Sequence, residues 1–140
     1  MNWKDHRVLI TGGTSFIGSH LADALVELGA IITVADDLTS GQLSNIQGHL
    51  DSGKIEFIEG DLRDSQVTQR AIKGVKTVFH LAADHGGRGY VDTFQAGPSS
   101  NLMLDGLVFR EALQAGVEKV VFASSGCVYP NFLQANTDEE

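Results

Sequence analysis

The amino-acid sequence predicts an α/β fold: a parallel, doubly wound sheet with helices on both faces. Three observations predict it. Short β-rich apolar runs alternate with stretches whose apolar residues recur at helical spacing. The first run, RVLITG at 7–12, opens directly into glycines and then a helical pattern. The Gly-rich and polar segments follow strands, so they collect at the carboxyl edge where such sheets bind ligands.

Each element has its own signal. RVLITG reads as a buried strand. From Phe16 to Leu28, the residues Ile17, Leu21, Leu25 and Leu28 recur at helical spacing, and Gly29 is placed to end that helix. IITVAD (31–36) is a second strand, followed by a polar loop. KIEFIEG (54–60) is a third, leading into an amphipathic stretch from about 65 to 73. KTVFHLAA (76–83) is a fourth, and the Gly-rich segment DHGGRGY leads from it to a helix over about 99–115. KVVFASS (119–125) is a fifth, expected at the sheet's edge, with the fold truncated after it.

Composition narrows the function. Hydrophobic residues make up 42% and charged residues 20%, as in an ordinary globular domain. Ten Lys and Arg against 18 Asp and Glu give a formal charge of −8. That charge repels phosphodiester backbones and anionic lipid, which argues against a nucleic-acid or membrane partner. The one cysteine cannot form an internal disulfide, which fits a reducing, cytoplasmic setting. The opening MNWKDHR lacks an apolar core, so no signal peptide is expected.

TGGTSFIG directly follows the first strand and opens the first helix. Glycines there let the backbone approach a pyrophosphate, and the helix N-terminus supplies N–H groups and a favourable dipole. The spacing runs from Gly12 to Gly18, with Ser15 standing where a middle glycine is common. A Gly-rich turn alone says little, because any tight strand-to-helix turn needs one. Asp36 adds weight, ending the second strand 24 residues after Gly12. A carboxylate there can bind both ribose hydroxyls of an adenosine and repels a 2′-phosphate, so NAD is expected over NADP. The alternative is a solvated loop residue.

Together, TGGTSFIG, VADDLTSG, GDLRD, FHLAA and SSGCVYP resemble the extended short-chain dehydrogenase/reductase family, the NAD-dependent sugar-nucleotide epimerases and dehydratases, over the whole chain. The resemblance implies a Rossmann-type fold binding NAD. It places Phe16 and Ile17 at the pyrophosphate loop and Asp36 and Asp37 at the adenosine ribose. Asp61 and Leu62 would flank the adenine, with Asp61 accepting from its amine. Leu81, Ala82 and Ala83 would line the path to the nicotinamide, and Asn101 matches an asparagine on the following helix. Each has a plainer alternative: Asp61 as a turn residue or helix cap, the alanines as close-packing residues.

The same resemblance assigns chemistry. Ser125 matches the Ser or Thr that hydrogen-bonds the substrate hydroxyl being oxidised. A tyrosine in a Tyr-x-x-x-Lys helix would take its proton while hydride goes to NAD. Neither Tyr90 nor Tyr129 has a lysine four residues on. Residues 1–140 are therefore expected to be the N-terminal, NAD-binding portion, inactive alone, with the Tyr/Lys helix and substrate-binding segment beyond Glu140. Gly126 and Cys127 occupy positions where the dehydratases have an Asp-Glu pair. A cysteine there, with AADHGGRGY, is similar to the GDP-mannose 3,5-epimerases. Once C4 is a ketone, the C3 and C5 hydrogens are acidic and a thiol facing the ring can exchange them. The plainer reading of Cys127 is a small buried hydrophobe. The implied partner is a GDP- or UDP-hexose, and the implied longer protein is a homodimer. A UDP-hexose 4-epimerase, or a non-catalytic NAD-binding regulatory domain, are the alternatives. His85 and Arg88 stand where apolar residues are usual, and His6, His20, His49 and His80 show no metal spacing.

Overall fold

A computed structural model describes residues 2–86, 90, 93–94 and 96–125. Arg88, Gly126, Cys127, Tyr129 and Pro130 lie outside them. The elements run β1 (Arg7–Thr11), α1 (Phe16–Glu27), β2 (Ile31–Asp36), a 3₁₀ turn (Leu43–Asn45), α2 (Gln47–Asp51) and β3 (Ile55–Glu59). Then come α3 (Ser65–Ile72), β4 (Thr77–His80), α4 (Ala96–Ser99), α5 (Asn101–Gln114) and β5 (Lys119–Phe122).

All described strand pairs are parallel, in the order β3-β2-β1-β4-β5. The chain winds outward from β1 to β3, then returns past β1 to place β4 and β5 on the other side. That reversal makes the space between β1 and β4 the topological switch point, the ligand position of such folds. Register brings those loops level, since Thr11 lies opposite both Ala35 and His80.

Alternation along the strands feeds two cores. Leu9 and Val78 join Leu62, Ile72, Leu104 and Val108 on the face covered by α3 and α5. Val8, Ile10, Ile32 and Val34 join Ala22 and Leu25 on the face covered by α1. Both faces are buried, so the strands read as nearly unbroken apolar runs. Each fully buried Leu, Ile or Val contributes about 1.5–3 kcal/mol. α1 stops as expected: Gly29 takes φ +80°. Its N–H bonds to the Val26 carbonyl and the Ala30 N–H to the Leu25 carbonyl, both at 3.0 Å.

Three expectations need correction. The loop after β2 holds the 3₁₀ turn and α2, with Ile46 buried between them. β4 ends at His80 instead of Ala83, because the N–H groups of Leu81 and Ala82 both turn to the Thr11 hydroxyl. β5 ends at Phe122 instead of Ser125; with β4 finished, its last ladder-like contact is Ala123 N–H to the His80 carbonyl.

Candidate dinucleotide-binding site

The turn from β1 into α1 is closed by glycines with different tasks. Gly12 has φ +68°, and a Cβ on it would meet the Ala82 nitrogen at 2.9 Å. A Cβ on Gly13 would lie 2.6 Å from Val34 Cγ1. On Gly18 it would strike the Gly12 carbonyl oxygen and lie 2.6 Å from Gly13 Cα. Gly12 and Gly18 therefore pack on backbone and Gly13 on the Val34 side chain, leaving a cradle that larger residues would fill. Ser15 precedes α1 in extended conformation with no capping bond from its side chain, and the helix's first turn carries no acidic residue. Early N–H groups have no partner within the helix, so the turn presents donors and a positive dipole end. Phe16 and Ile17 stand beside it, 76% and 70% exposed. This is the donor set a pyrophosphate needs.

Asp36 locks the turn from the side. One carboxylate oxygen accepts from Thr14 N–H and the other from Leu38 N–H, each at 3.0 Å. Leu38 has φ +59°, a conformation costly for a branched side chain and held here by that bond. Asp37 is exposed and accepts from Thr39 N–H at 2.9 Å. The loop after β2 also ties back to Thr14. Its carbonyl accepts from Asn45 Nδ2 at 2.7 Å and Gln42 N–H at 3.2 Å. Gly41 lies flat on the Thr14 side chain, where any Cβ would collide with the hydroxyl.

Beyond β3, Asp61 is gripped by Arg63, whose backbone N–H, Nε and Nη2 approach its oxygens at 2.8–2.9 Å. Those bonds, outweighing the desolvation of partial burial, hold Asp61 below the ordinary carboxylate range, so it stays an acceptor. Arg63 also donates from Nη1 to Ser100 Oγ at 2.9 Å, tying this turn to the start of α5. It is Asp64, not Asp61, that caps α3, accepting from Gln66 N–H. Leu62, the residue after Asp61, packs inward. The residue is 4% exposed and belongs to the core.

The ends of β4 and β5 and the start of α5 enclose a cleft of about 590 Å³. Leu81, Ala82, Ala83, Asn101 and Ser125 all line it. Asn101 spends its amide on the loop backbone: Oδ1 accepts from Asp84 N–H and Nδ2 donates to the Asp84 carbonyl, both at 2.8 Å. Tyr90 donates to Asp84 Oδ1 at 2.7 Å, and that bond pushes the phenol's pKa up. Ser125 is exposed at the cleft, and His85 shares its lining. Among the described residues, no group of three His, Cys, Asp or Glu could hold a metal. No described helix is long and apolar enough to cross a membrane. The roles of Gly13, Gly41 and Asn45 were not foreseen from the sequence.

A parallel sheet with a glycine cradle at its first helix and an acid ending its second strand defines a dinucleotide-binding α/β protein. More narrowly, the chain belongs to the NAD dependent epimerase/dehydratase family, which it matches over residues 8–140. It is 34% identical over 133 residues to GDP-mannose 3,5-epimerase 1 of Oryza sativa subsp. japonica, covering 94% of this chain and 34% of the relative. An epimerase structure from Methanothermobacter thermautotrophicus superposes with a TM-score of 0.84 at 34% identity, covering 99% of this chain and 40% of that one. The NAD complex of UDP-glucose 4-epimerase from Thermus thermophilus gives a TM-score of 0.74 at 35% identity, covering 86% and 38%. The chain thus spans about a third to two-fifths of each relative's length.

Proposed function

We propose that residues 1–140 are the NAD-binding portion of a nucleotide-sugar epimerase, most like the GDP-mannose 3,5-epimerases. One observation carries the cofactor reading: the backbone cradle of Gly12, Gly13 and Gly18 meets a donor-rich helix start beside the carboxylate of Asp36. Gly12, Ser15, Phe16, Ile17 and Gly18 would hold the pyrophosphate. Asp36 and Asp37 would take the adenosine ribose, and Asp61 with the Leu62 backbone the adenine. Leu81, Ala82 and Ala83 would support the nicotinamide, with Asn101 bracing the loop that continues from them. When bound, NAD supplies reversible hydride acceptance at the sugar's C4.

The chain's own chemistry would begin at the cleft that Ser125 lines. Ser125 would orient the C4 hydroxyl of a GDP- or UDP-hexose. Cys127, two residues on, would exchange the C3 and C5 protons once C4 is a ketone. A thiol ordinarily titrates near ~8.5, so modest tuning lets it give or take a proton near neutrality. The similarity to the rice 3,5-epimerase supports this reading. The Thermus thermophilus structure favours a second, a UDP-hexose 4-epimerase in which Cys127 is only a packing residue. Exposed Leu102, Phe109 and Leu113 give α5 an apolar stripe that supports a homodimer. The acidic charge and lone thiol support a cytoplasmic enzyme with neither nucleic-acid nor membrane partner.

Solvent deuterium exchange in the intact protein separates the two readings. Cys127→Ala should retain C4 oxidation, read as NADH absorbance, and lose C3/C5 exchange by roughly 10²–10⁴-fold. Wild-type exchange in that variant would leave the 4-epimerase as the better account.

A further inference from the structure

His80 ends β4 with its side chain fully buried. Its Nδ1 lies 2.7 Å from Thr11 Oγ1 on β1, and its Nε2 lies 3.1 Å from Asp105 Oδ1 on α5. The Thr11 oxygen also accepts from Leu81 N–H and Ala82 N–H, each at 3.0 Å. A hydroxyl has one proton and two lone pairs. Both lone pairs are taken, so the proton points at His80, and Nδ1 must be the acceptor. The neutral ring then carries its proton on Nε2 and donates it to Asp105. Burial pushes His80 down more strongly than the Asp105 carboxylate pulls it up, which keeps the ring neutral. Phe109 and Phe122 pack against it at 5.9 and 5.7 Å.

The chain of bonds ends on the stretch that lines the cleft. The two N–H groups it captures are those that leave the β4 ladder, so it decides where strand stops and cleft wall begins. One of them, on Ala82, is also the nitrogen against which Gly12 packs. The same short segment is thereby fixed to the phosphate turn on one side and to α5 on the other.

We propose that Asp105, His80 and Thr11 form a positioning relay that holds Leu81–Ala83 for the nicotinamide end of the dinucleotide. The inference rests on the cofactor reading above. None of the three touches the reacting atoms; they act through the backbone of Leu81 and Ala82.

Thr11→Val removes the hydroxyl at nearly unchanged shape, and Thr11→Ser keeps it. Each variant is titrated with NAD and with ADP-ribose, which lacks only the nicotinamide. Thr11→Val should weaken NAD about fivefold or more, the scale of a lost buried hydrogen bond, and ADP-ribose by a clearly smaller factor, since it meets the segment only through the packing of Gly12 on Ala82. Thr11→Ser should bind NAD as the wild type does. Equal weakening of both ligands, or of neither, overturns the proposal, as general destabilisation or no role would produce those results. A ¹⁵N NMR spectrum of the unliganded wild-type chain should show the His80 proton on Nε2. A proton on Nδ1 overturns the relay whatever the ligands do. A wild type that binds neither ligand refutes the cofactor reading and the positioning role with it, while the tautomer still decides whether the relay exists.

Discussion

Two glycines in helices should respond oppositely to the same substitution. In α5, a Cβ on Gly106 would meet no atom within 4 Å. Gly106→Ala therefore gains only helix propensity and should stabilise the chain by about 0.5–1 kcal/mol. Gly18 in α1 offers the same propensity gain, but its Cβ would strike the Gly12 carbonyl oxygen and lie 2.6 Å from Gly13 Cα. Those are backbone atoms of a turn already fixed by Ala82 and Val34, so neither can rotate aside. Overpacking of this kind costs about 1–3 kcal/mol. Set against the propensity gain, Gly18→Ala should be destabilising by up to about 2.5 kcal/mol. It should also weaken NAD binding, because the first turn of α1 must move off the cradle. Urea midpoints at unchanged slope give the first quantity and calorimetric titration the second. A Gly18→Ala protein as stable as Gly106→Ala, with unaltered NAD affinity, would refute the close-approach argument.

Other perturbations follow from the same geometry. Asp36→Ala should lose about 1–2 kcal/mol of NAD affinity. It should also lower the urea midpoint without ligand, because Thr14 and Leu38 N–H groups lose their acceptor; an unchanged midpoint would count against the clamp. His80 is held below its ordinary ~6.5, so the unfolded chain takes its proton more readily than the folded one. That contribution to stability is complete above about pH 6.5 and is lost as pH falls through the lower folded-state value. His80→Asn should flatten this part of the pH–stability curve, and an identical slope would contradict it. Among the described strands β5 lies at the sheet's edge and exposes Phe122, while α5 exposes Leu102 and Leu113, so the chain should self-associate at raised concentration. Leu113→Lys should shift sedimentation towards monomer; no shift would place association elsewhere.

The fold was legible wherever the signal was local. Apolar runs marked the strands, Gly29 marked the end of α1, and Asp36 stood out by its position after the second strand. What escaped were features decided across the sequence. Nothing in TGGT separates Gly13 from an ordinary turn glycine; its need comes from Val34, a strand away. FHLAA reads as unbroken strand because Leu81 and Ala82 are apolar. Their N–H groups leave the ladder for Thr11, and that requires β1 and β4 to be neighbours. His80 was inconspicuous for the same reason, its partners lying at positions 11 and 105. Leu62 illustrates the converse: a motif supplied its place beside Asp61 but not the direction of its side chain.

The proposed NAD site rests on the glycine cradle and Asp36. Paired calorimetric titrations of this chain with NAD and NADP test it most directly. NAD should bind at one saturable site, with NADP weaker by about tenfold or more because its 2′-phosphate meets the Asp36 carboxylate. NADP binding as tight as NAD, or no binding of either, would contradict it.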